Sequence, residues 1–334
     1  MSARENTQIT LARRPVGFLG PENFAVRRGP APTIGAGEAL VELHYISLDP
    51  AMRGWIDDHE SYLPPVEIGE VMRAGGIGQV IASKADELKE GDWVTGLLGV
   101  QNFAVIRPGA AQIVPVGAIP AHHFLGELGI PGLTAYYGML DIGAPVAGET
   151  VFVSAASGPV GAVAGQIAKL KGCRVVGTAS SDAKVAFIKE LGFDDAFKYE
   201  YGRLSAQLKA ACPDGVDIYF DNVGGDMLEA AIGAMKNGGR IVSCGMISTY
   251  NDTAPRPGPH NMSLFIIRRL RMQGFVVLDY FNRQAEFVGQ MVEWVRDGKV
   301  RCQYDIVEGL ENFPQALTKL FRSENFGKLL IKSV

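Results

Sequence analysis

Between Thr150 and Leu170 the chain places small residues where a backbone would have to come close to a charged ligand. In Ala155-Ala-Ser-Gly-Pro-Val-Gly161, Ala155, Gly158 and Gly161 stand three apart, and Gly165 follows one turn later. Small residues let the chain turn sharply and approach a pyrophosphate. The first turn of a following helix then turns its N–H groups and a partial positive charge toward it. Pro159 suits that first turn, because its missing N–H costs nothing there. Ala155, Ser157, Gly158, Pro159, Val160 and Gly161 are therefore candidate cofactor contacts. Glycine in such a loop can also serve packing alone, and it is the context that favours binding: the stretch follows a strand, opens a helix and sits in a βαβ unit.

A second set lies at the end of the next strand, Thr178-Ala-Ser-Ser-Asp182. An acid at that point would hold an adenine ribose and exclude a phosphate; here the position holds small polar residues, including Ser180. Asp182 comes late enough to read as the cap of the following helix. Lys184 could reach a ribose 2′-phosphate or could be a solvated helix residue.

These residues need particular elements to position them. Segments such as Ala39–Ile46 and Ile77–Ala82 alternate in hydrophobicity and are punctuated by glycine and proline, which predicts a twisted, barrel-like β domain. Near residue 125 the pattern changes. Pro131–Leu140 has helical spacing, and strands (150–154, 174–178, 216–221, 240–244) then alternate with helices (160–170, 183–191, 226–235, 284–296). That alternation predicts an α/β fold, a Rossmann-type doubly wound parallel sheet beside a smaller β-rich domain. The expected division is 1–125 with 300–334 for the β-rich substrate domain and 126–299 for the nucleotide domain, the strand Phe326–Lys332 returning to the first.

With 334 residues the chain has room for two domains and a cleft between them. Its 47% hydrophobic and 20% charged residues, with a net charge of -4 and no basic block, argue against a nucleic-acid partner. The polar start, Met1–Arg14, and the lack of a long apolar run predict a cytoplasmic protein with no membrane partner. Cys173, Cys212, Cys244 and Cys302 are too scattered for a zinc knuckle or a disulfide framework and read as reduced thiols.

With those residues in view, the chain resembles the medium-chain dehydrogenase/reductase superfamily, and within it the leukotriene 12-hydroxydehydrogenase and prostaglandin reductase branch. Bacterial curcumin reductases and plant double-bond reductases look similar over the same segments. The resemblance rests on Leu48-Asp-Pro-Ala-Met-Arg-Gly54, the stretch from Ala155 to Gly177, Tyr219-Phe-Asp-Asn-Val-Gly-Gly225, Cys244-Gly-Met-Ile-Ser-Thr-Tyr-Asn251 and Glu324-Asn-Phe-Gly-Lys328. It implies a GroES-like first domain, NADP(H) as cofactor, and reduction of a carbon–carbon double bond conjugated to a carbonyl. It also implies that Lys184 and Tyr199 contact the 2′-phosphate and that Asn222, Cys244, Ser248, Phe275, Val277 and Asn325 surround the cofactor. Strand core, packing or turn roles are the alternatives for several of these. Ala51 departs from relatives that have tyrosine after Asp-Pro, which implies a differently lined pocket.

Zinc enzymes of the superfamily need a Cys/His/carboxylate set. Here Ser47-Leu-Asp-Pro50 stands where they have a ligating cysteine, and Ile68-Gly-Glu-Val-Met72 where they have Gly-His-Glu. No metal is expected. His44 reads as a strand residue and Glu70 as a hydrogen-bonded or ion-paired acid.

Hydride arriving at the β-carbon of an enone drives negative charge onto its carbonyl oxygen, so a donor must be aimed there. Tyr250, just past a sheet strand, is the candidate for that donor; packing against the nicotinamide is the alternative. The loop Asn251–Asn261 reads as a lid. His260 within it could touch substrate or be solvated. Met52, Trp55 and Tyr62 could line the wall facing a lipophilic unsaturated carbonyl, and Arg53 could approach the cofactor or pair at the surface. A quinone oxidoreductase and a non-catalytic NADPH-binding protein are the competing readings. Relatives suggest a homodimer joined by edge strands.

Overall fold

A computed structural model describes residues 4–334. The chain divides into two units, one ending at Leu125 and resuming at Tyr304, the other spanning Gly126–Gln303.

The first unit is β-rich. It comprises β1 (Glu5–Leu11), β2 (Phe24–Pro30), β3 (Ala39–Ser47), a short helix α1 (Met52–Trp55), β4 (Gly75–Ser83), β5 (Trp93–Leu97), β6 (Phe103–Ile106) and β7 (Ala111–Ile113). Strand β3 alternates as expected: Ala39, Val41 and Leu43 are fully buried, while Leu40, Glu42 and His44 are only partly so. Gly78 is required at the β3–β4 pairing, since a Cβ there would lie 2.2 Å from the Glu42 carbonyl oxygen. Antiparallel pairing of β3 with both β4 and β6 closes the unit around Ile9, Leu43, Ile46 and Met72.

The second unit opens with α2 (Ile130–Tyr137), which runs on into a π-helical turn at Gly138–Gly143. There follow β8 (Thr150–Val153), α3 (Pro159–Leu170), β9 (Arg174–Ala179), α4 (Asp182–Glu190), β10 (Asp195–Lys198) and α5 (Leu204–Ala211). The second half has β11 (Val216–Asp221), α6 (Gly225–Ala234), β12 (Met235–Ser243), α7 (Ser263–Arg268), β13 (Arg271–Gly274) and α8 (Gln284–Arg296). The six strands run parallel in the order β10-β9-β8-β11-β12-β13. Strand order reverses between β8 and β11, and it is at such a switch point that open α/β sheets leave a crevice for ligands. Strands β8 and β11 are buried along most of their length, as a parallel sheet covered on both faces requires.

The chain then returns through β14 (Tyr304–Glu308), α9 (Phe313–Phe321) and β15 (Lys328–Lys332). Strand β15 lies between β14 and β3, in the first unit's sheet. Residues 300–303 stay with the second unit, where Gln166 accepts the Arg301 N–H at 3.1 Å and donates to the Arg301 carbonyl at 2.9 Å. Among the described residues no helix is long and apolar enough to cross a membrane.

Candidate active site

At the switch point, β8 ends in a turn whose left-handed residue is Ala155, with φ +49°. Gly158 closes the turn by donating its N–H to the Ala155 carbonyl at 3.0 Å, and it caps α3 in an extended conformation. Gly161 then packs against the turn itself, because a Cβ there would fall 2.6 Å from the Ala155 oxygen and 2.9 Å from the Ala156 Cα. Gly165 serves the sheet side instead: its Cβ would overlap the Phe193 ring at 1.9 Å. Each small residue thus does a separate job. Gly158, Pro159 and Val160 are partly exposed, whereas Ser157 is buried. The result is a helix N-terminus with an accessible first turn and close backbone packing behind it, which fits a pyrophosphate.

Beyond β9 the helix cap is Ser181, whose Oγ accepts the Lys184 N–H; Asp182, read from sequence as the cap, is instead the first helical residue. Its side chain is exposed and faces Lys198 at 3.7 Å. Serine supplies the shorter oxygen for the N–H, and the acid beside it favours the helix dipole. The Lys184 side chain is buried to 9% exposure and its Nζ donates to Ser180 Oγ at 3.2 Å. Tyr199 is tied to the same strand end by its N–H to the Ala179 carbonyl at 3.1 Å. Ser180, Lys184 and Tyr199 therefore converge at the end of β9, a hydroxyl and a cation that suit a phosphate better than a ribose diol.

Across the switch point, Asn222 donates its backbone N–H to Ser154 Oγ at 3.0 Å and its side-chain amide to the Ser154 carbonyl at 2.8 Å. Asp221 is fully buried: its Oδ1 accepts from the Tyr219 hydroxyl at 2.7 Å and from the Gly224 and Val223 N–H groups, and its Oδ2 has no hydrogen-bond partner. Burial raises its pKa above the usual carboxylate range. Cys244 follows β12 and donates its N–H to the Asp221 carbonyl; burial pushes its thiol up to about 12.

Ser248 donates its hydroxyl to the Val223 carbonyl at 2.6 Å and packs on Gly225, a left-handed position. The hydroxyl of Tyr250 accepts the Met246 N–H at 3.2 Å and lies over Gly245, where a Cβ would approach it to 3.3 Å. Phe275 and Val277 are partly exposed, with Phe275 packed on Gly138 at the end of α2. In the 251–261 loop, His260 is exposed and its Nδ1 pairs with Glu229 at 2.9 Å. Phe275 and Val277 are followed by a clamp that sequence reasoning missed. Arg283 pairs with Asp141 and lies 4.5 Å over the Tyr137 ring, which fixes the 277–283 turn against α2.

In the first unit, Met52 is fully buried and Trp55 is 8% exposed, so Met52 belongs to the core and offers no wall. The α1 turn after Pro50 aims both side chains inward. Tyr62 is 49% exposed, and its hydroxyl accepts the Trp55 Nε1–H at 3.1 Å. Arg53, expected at a cofactor or the surface, is buried; it pairs with Asp57 and donates to the Gly17 carbonyl. Asn325 turns its amide onto the Gly327 carbonyl at 2.9 Å. His44 packs on Trp93, with its pKa lowered by burial, and Glu70 is exposed and in no ion pair among the described residues. Lys328 is 1% exposed; its Nζ donates to Asp49 Oδ1 at 2.6 Å and to the Leu48 carbonyl at 3.0 Å, and Ser47 donates to the other Asp49 oxygen. A buried ammonium thus stands beside the segment where zinc enzymes have a ligand. Among the described residues no group of three or more His, Cys, Asp or Glu could hold a metal ion.

A six-stranded parallel sheet with a small-residue turn at its switch point, carried with a separate β-rich unit, defines a dinucleotide-binding oxidoreductase of two domains. Residues 7–114 match the N-terminal domain of oxidoreductase family model, and 159–297 match the zinc-binding dehydrogenase model. The chain is 42% identical to the NADPH-dependent curcumin reductase of Escherichia coli strain K12, over 98% of this chain and 97% of that one. It is 41% identical to mouse (Mus musculus) prostaglandin reductase 1, over 97% and 98%. The crystal structure of CurA from Vibrio vulnificus in complex with NADPH superposes with a TM-score of 0.93 at 43% identity, covering 98% of this chain and 99% of that one. The chain belongs to the zinc-independent branch of the medium-chain dehydrogenase/reductase superfamily.

Proposed function

We propose that this chain uses NADPH to reduce the carbon–carbon double bond of α,β-unsaturated ketones and aldehydes. The observation that carries the reading is the Tyr250 hydroxyl, fixed by the Met246 N–H just beyond the C-terminal end of β12, in the same sheet whose switch point holds the small-residue turn. The turn residues 155 and 157–161 would hold the pyrophosphate, and Ser180, Lys184 and Tyr199 the 2′-phosphate. Asn222, Cys244, Ser248, Phe275, Val277 and Asn325 would surround the rest. When bound, NADPH supplies the hydride.

The chain's own contribution is electrostatic. Because the Tyr250 oxygen accepts the Met246 N–H, its O–H is polarised as a donor. It gives that hydrogen bond to the carbonyl oxygen as negative charge develops there, and so holds a proton where the enolate forms. The first unit is assigned the lipophilic part of the substrate, with Tyr62 as its accessible aromatic surface. His260, paired with Glu229, is placed at the rim.

NADPH consumption with a panel of enals, enones and quinones, after chelation, tests the reading. The Tyr250→Phe variant is expected to lose about 100-fold in kcat. Preference for quinones, or a variant as fast as the parent, would sink it.

A second copy of the chain is placed along β13. All four of its residues are exposed and it pairs only with β12, while Ile266 and Ile267 nearby are 82% and 62% exposed. Light scattering on Ile266→Glu is expected to show a smaller species than the parent. A cytoplasmic location suits the four cysteines, all free thiols.

A further inference from the structure

In the first unit, one cation stands out because nothing answers its charge. Arg73 is partly buried, and its Nη1 donates to the Pro64 carbonyl at 2.8 Å. Its guanidinium carbon lies 5.8 Å from the centre of the Trp55 ring. No carboxylate is within ion-pair distance of it among the described residues; the nearest charged influence is the Tyr62 phenol, and burial lowers the Arg73 pKa. A guanidinium has five N–H donors in a planar fork. One is used here on a neutral carbonyl, which leaves a partly desolvated cation poorly compensated.

Tyr62 adds a second donor. Its oxygen accepts the Trp55 indole N–H, so its own proton is available for an acceptor outside the protein. The Arg73 fork and the Tyr62 O–H thus flank Trp55 as two donor groups beside one aromatic surface.

We infer that Arg73 and Tyr62 form a carboxylate subsite, which selects unsaturated carbonyl substrates that carry an acid group remote from the double bond. This rests on the enone-reductase reading above and narrows its substrate class. A carboxylate accepts two parallel hydrogen bonds from a guanidinium and a third from a phenol, and its charge offsets the desolvation Arg73 has already undergone. The anion lies on the Tyr62 side of the guanidinium. On its other side a depression of about 220 Å³ is shared with Glu67 and Glu70, whose charges would repel it; Glu67 faces Arg14 at 3.5 Å.

The test compares two probes on the whole protein with NADPH: an enone bearing a carboxylate three methylenes from the double bond, and its methyl ester. The parent is expected to show a lower KM for the acid. Arg73→Met should raise the KM for the acid about 10- to 100-fold more than that for the ester, with Arg73→Lys between them, because a charge-assisted pair is lost. Thermal melting of each variant separates this from a folding defect. Equal KM values for acid and ester in the parent, or a variant that weakens both probes alike, would overturn the subsite. Calorimetry with the saturated keto acid decides the matter without turnover. If the parent reduces neither probe, the reductase reading fails, yet Arg73-dependent binding of the keto acid still supports the subsite and its absence refutes it.

Discussion

Replacing Gly161 with alanine tests whether the small-residue turn is built for close backbone approach. The new Cβ would start 2.6 Å from the Ala155 carbonyl oxygen and 2.9 Å from the Ala156 Cα, both backbone atoms that cannot rotate away. Carbon–oxygen contacts settle at about 3.3–3.6 Å, so the α3 N-terminus must move off the turn by roughly 0.7 Å or more. Overpacking of this kind costs about 1–3 kcal/mol, and the better helix propensity of alanine returns about 1 kcal/mol. Stability should therefore fall by no more than about 2 kcal/mol. Cofactor binding should suffer more. A shift of that size takes an N–H out of hydrogen-bonding range of a phosphate oxygen, and losing one charge-assisted bond weakens the complex about 10- to 100-fold. Fluorescence titration with NADPH gives the Kd, and melting with and without NADPH gives the stability and its ligand-linked increment. Gly165→Ala is the control, because its Cβ meets the buried Phe193 ring rather than the turn. It should destabilise the fold by about 1–3 kcal/mol with Kd nearly unchanged. A Gly161→Ala protein that binds NADPH within about two-fold of the parent would refute the assignment.

Lys184→Met should cut the preference for NADPH over NADH about 10- to 100-fold, read as the ratio of kcat/KM for the two cofactors, because it removes a cation held at the end of β9. Asp49→Asn leaves the Lys328 ammonium buried without its carboxylate; as Asp49 is a quarter exposed, the loss should sit near the low end for such pairs, about 3 kcal/mol by urea unfolding. Burial pushes the Cys173 and Cys212 thiols up to about 11, so at pH 8 almost no thiolate is present; iodoacetamide should spare both until the protein is unfolded, as mass spectrometry would show.

Much of the nucleotide unit was readable because its period is strong. Val216–Asp221 and Gln284–Arg296 were placed at the observed ends, and Thr150–Ser154 and Arg174–Thr178 within one residue. Strands β10 and β13 were harder to see: Asp-Ala-Phe-Lys and Arg-Met-Gln-Gly are short, carry charge and lie at the two edges of the sheet, where only one neighbour enforces a pattern. Helix α9, with Phe313, Ala316, Leu317 and Leu320 buried, did have a readable signal in that spacing. At the site, spacing located the turn and Lys184 but could not say which side chains the protein itself consumes. Met52 is in the core, Arg53 holds the Gly17 carbonyl, and the Asn325 amide is committed to Gly327, each through a tertiary contact that no local pattern encodes.

The same consumption explains why a switch point needs polar residues that never reach a ligand. Where strand order reverses, the connections leaving β8 and β11 run to opposite sides of the sheet, and nothing in the ladder itself holds their ends together. Here side chains do that work. Ser154 receives the Asn222 N–H, Asn222 returns its amide to the Ser154 carbonyl, and the Asp221 carbonyl accepts the N–H groups of both Cys244 and Gly245, so the ends of β8, β11 and β12 are joined. Asp221 Oδ1 then fixes the N–H groups of Val223 and Gly224, and the left-handed pair Gly224–Gly225 turns the chain back beneath Ser248. Tyr250 lies two residues beyond Ser248, so its hydroxyl inherits its position from this lattice of buried hydrogen bonds. The precision that a hydride acceptor's carbonyl would require of Tyr250 is thus supplied by Ser154, Asp221 and Asn222, which are positioning residues.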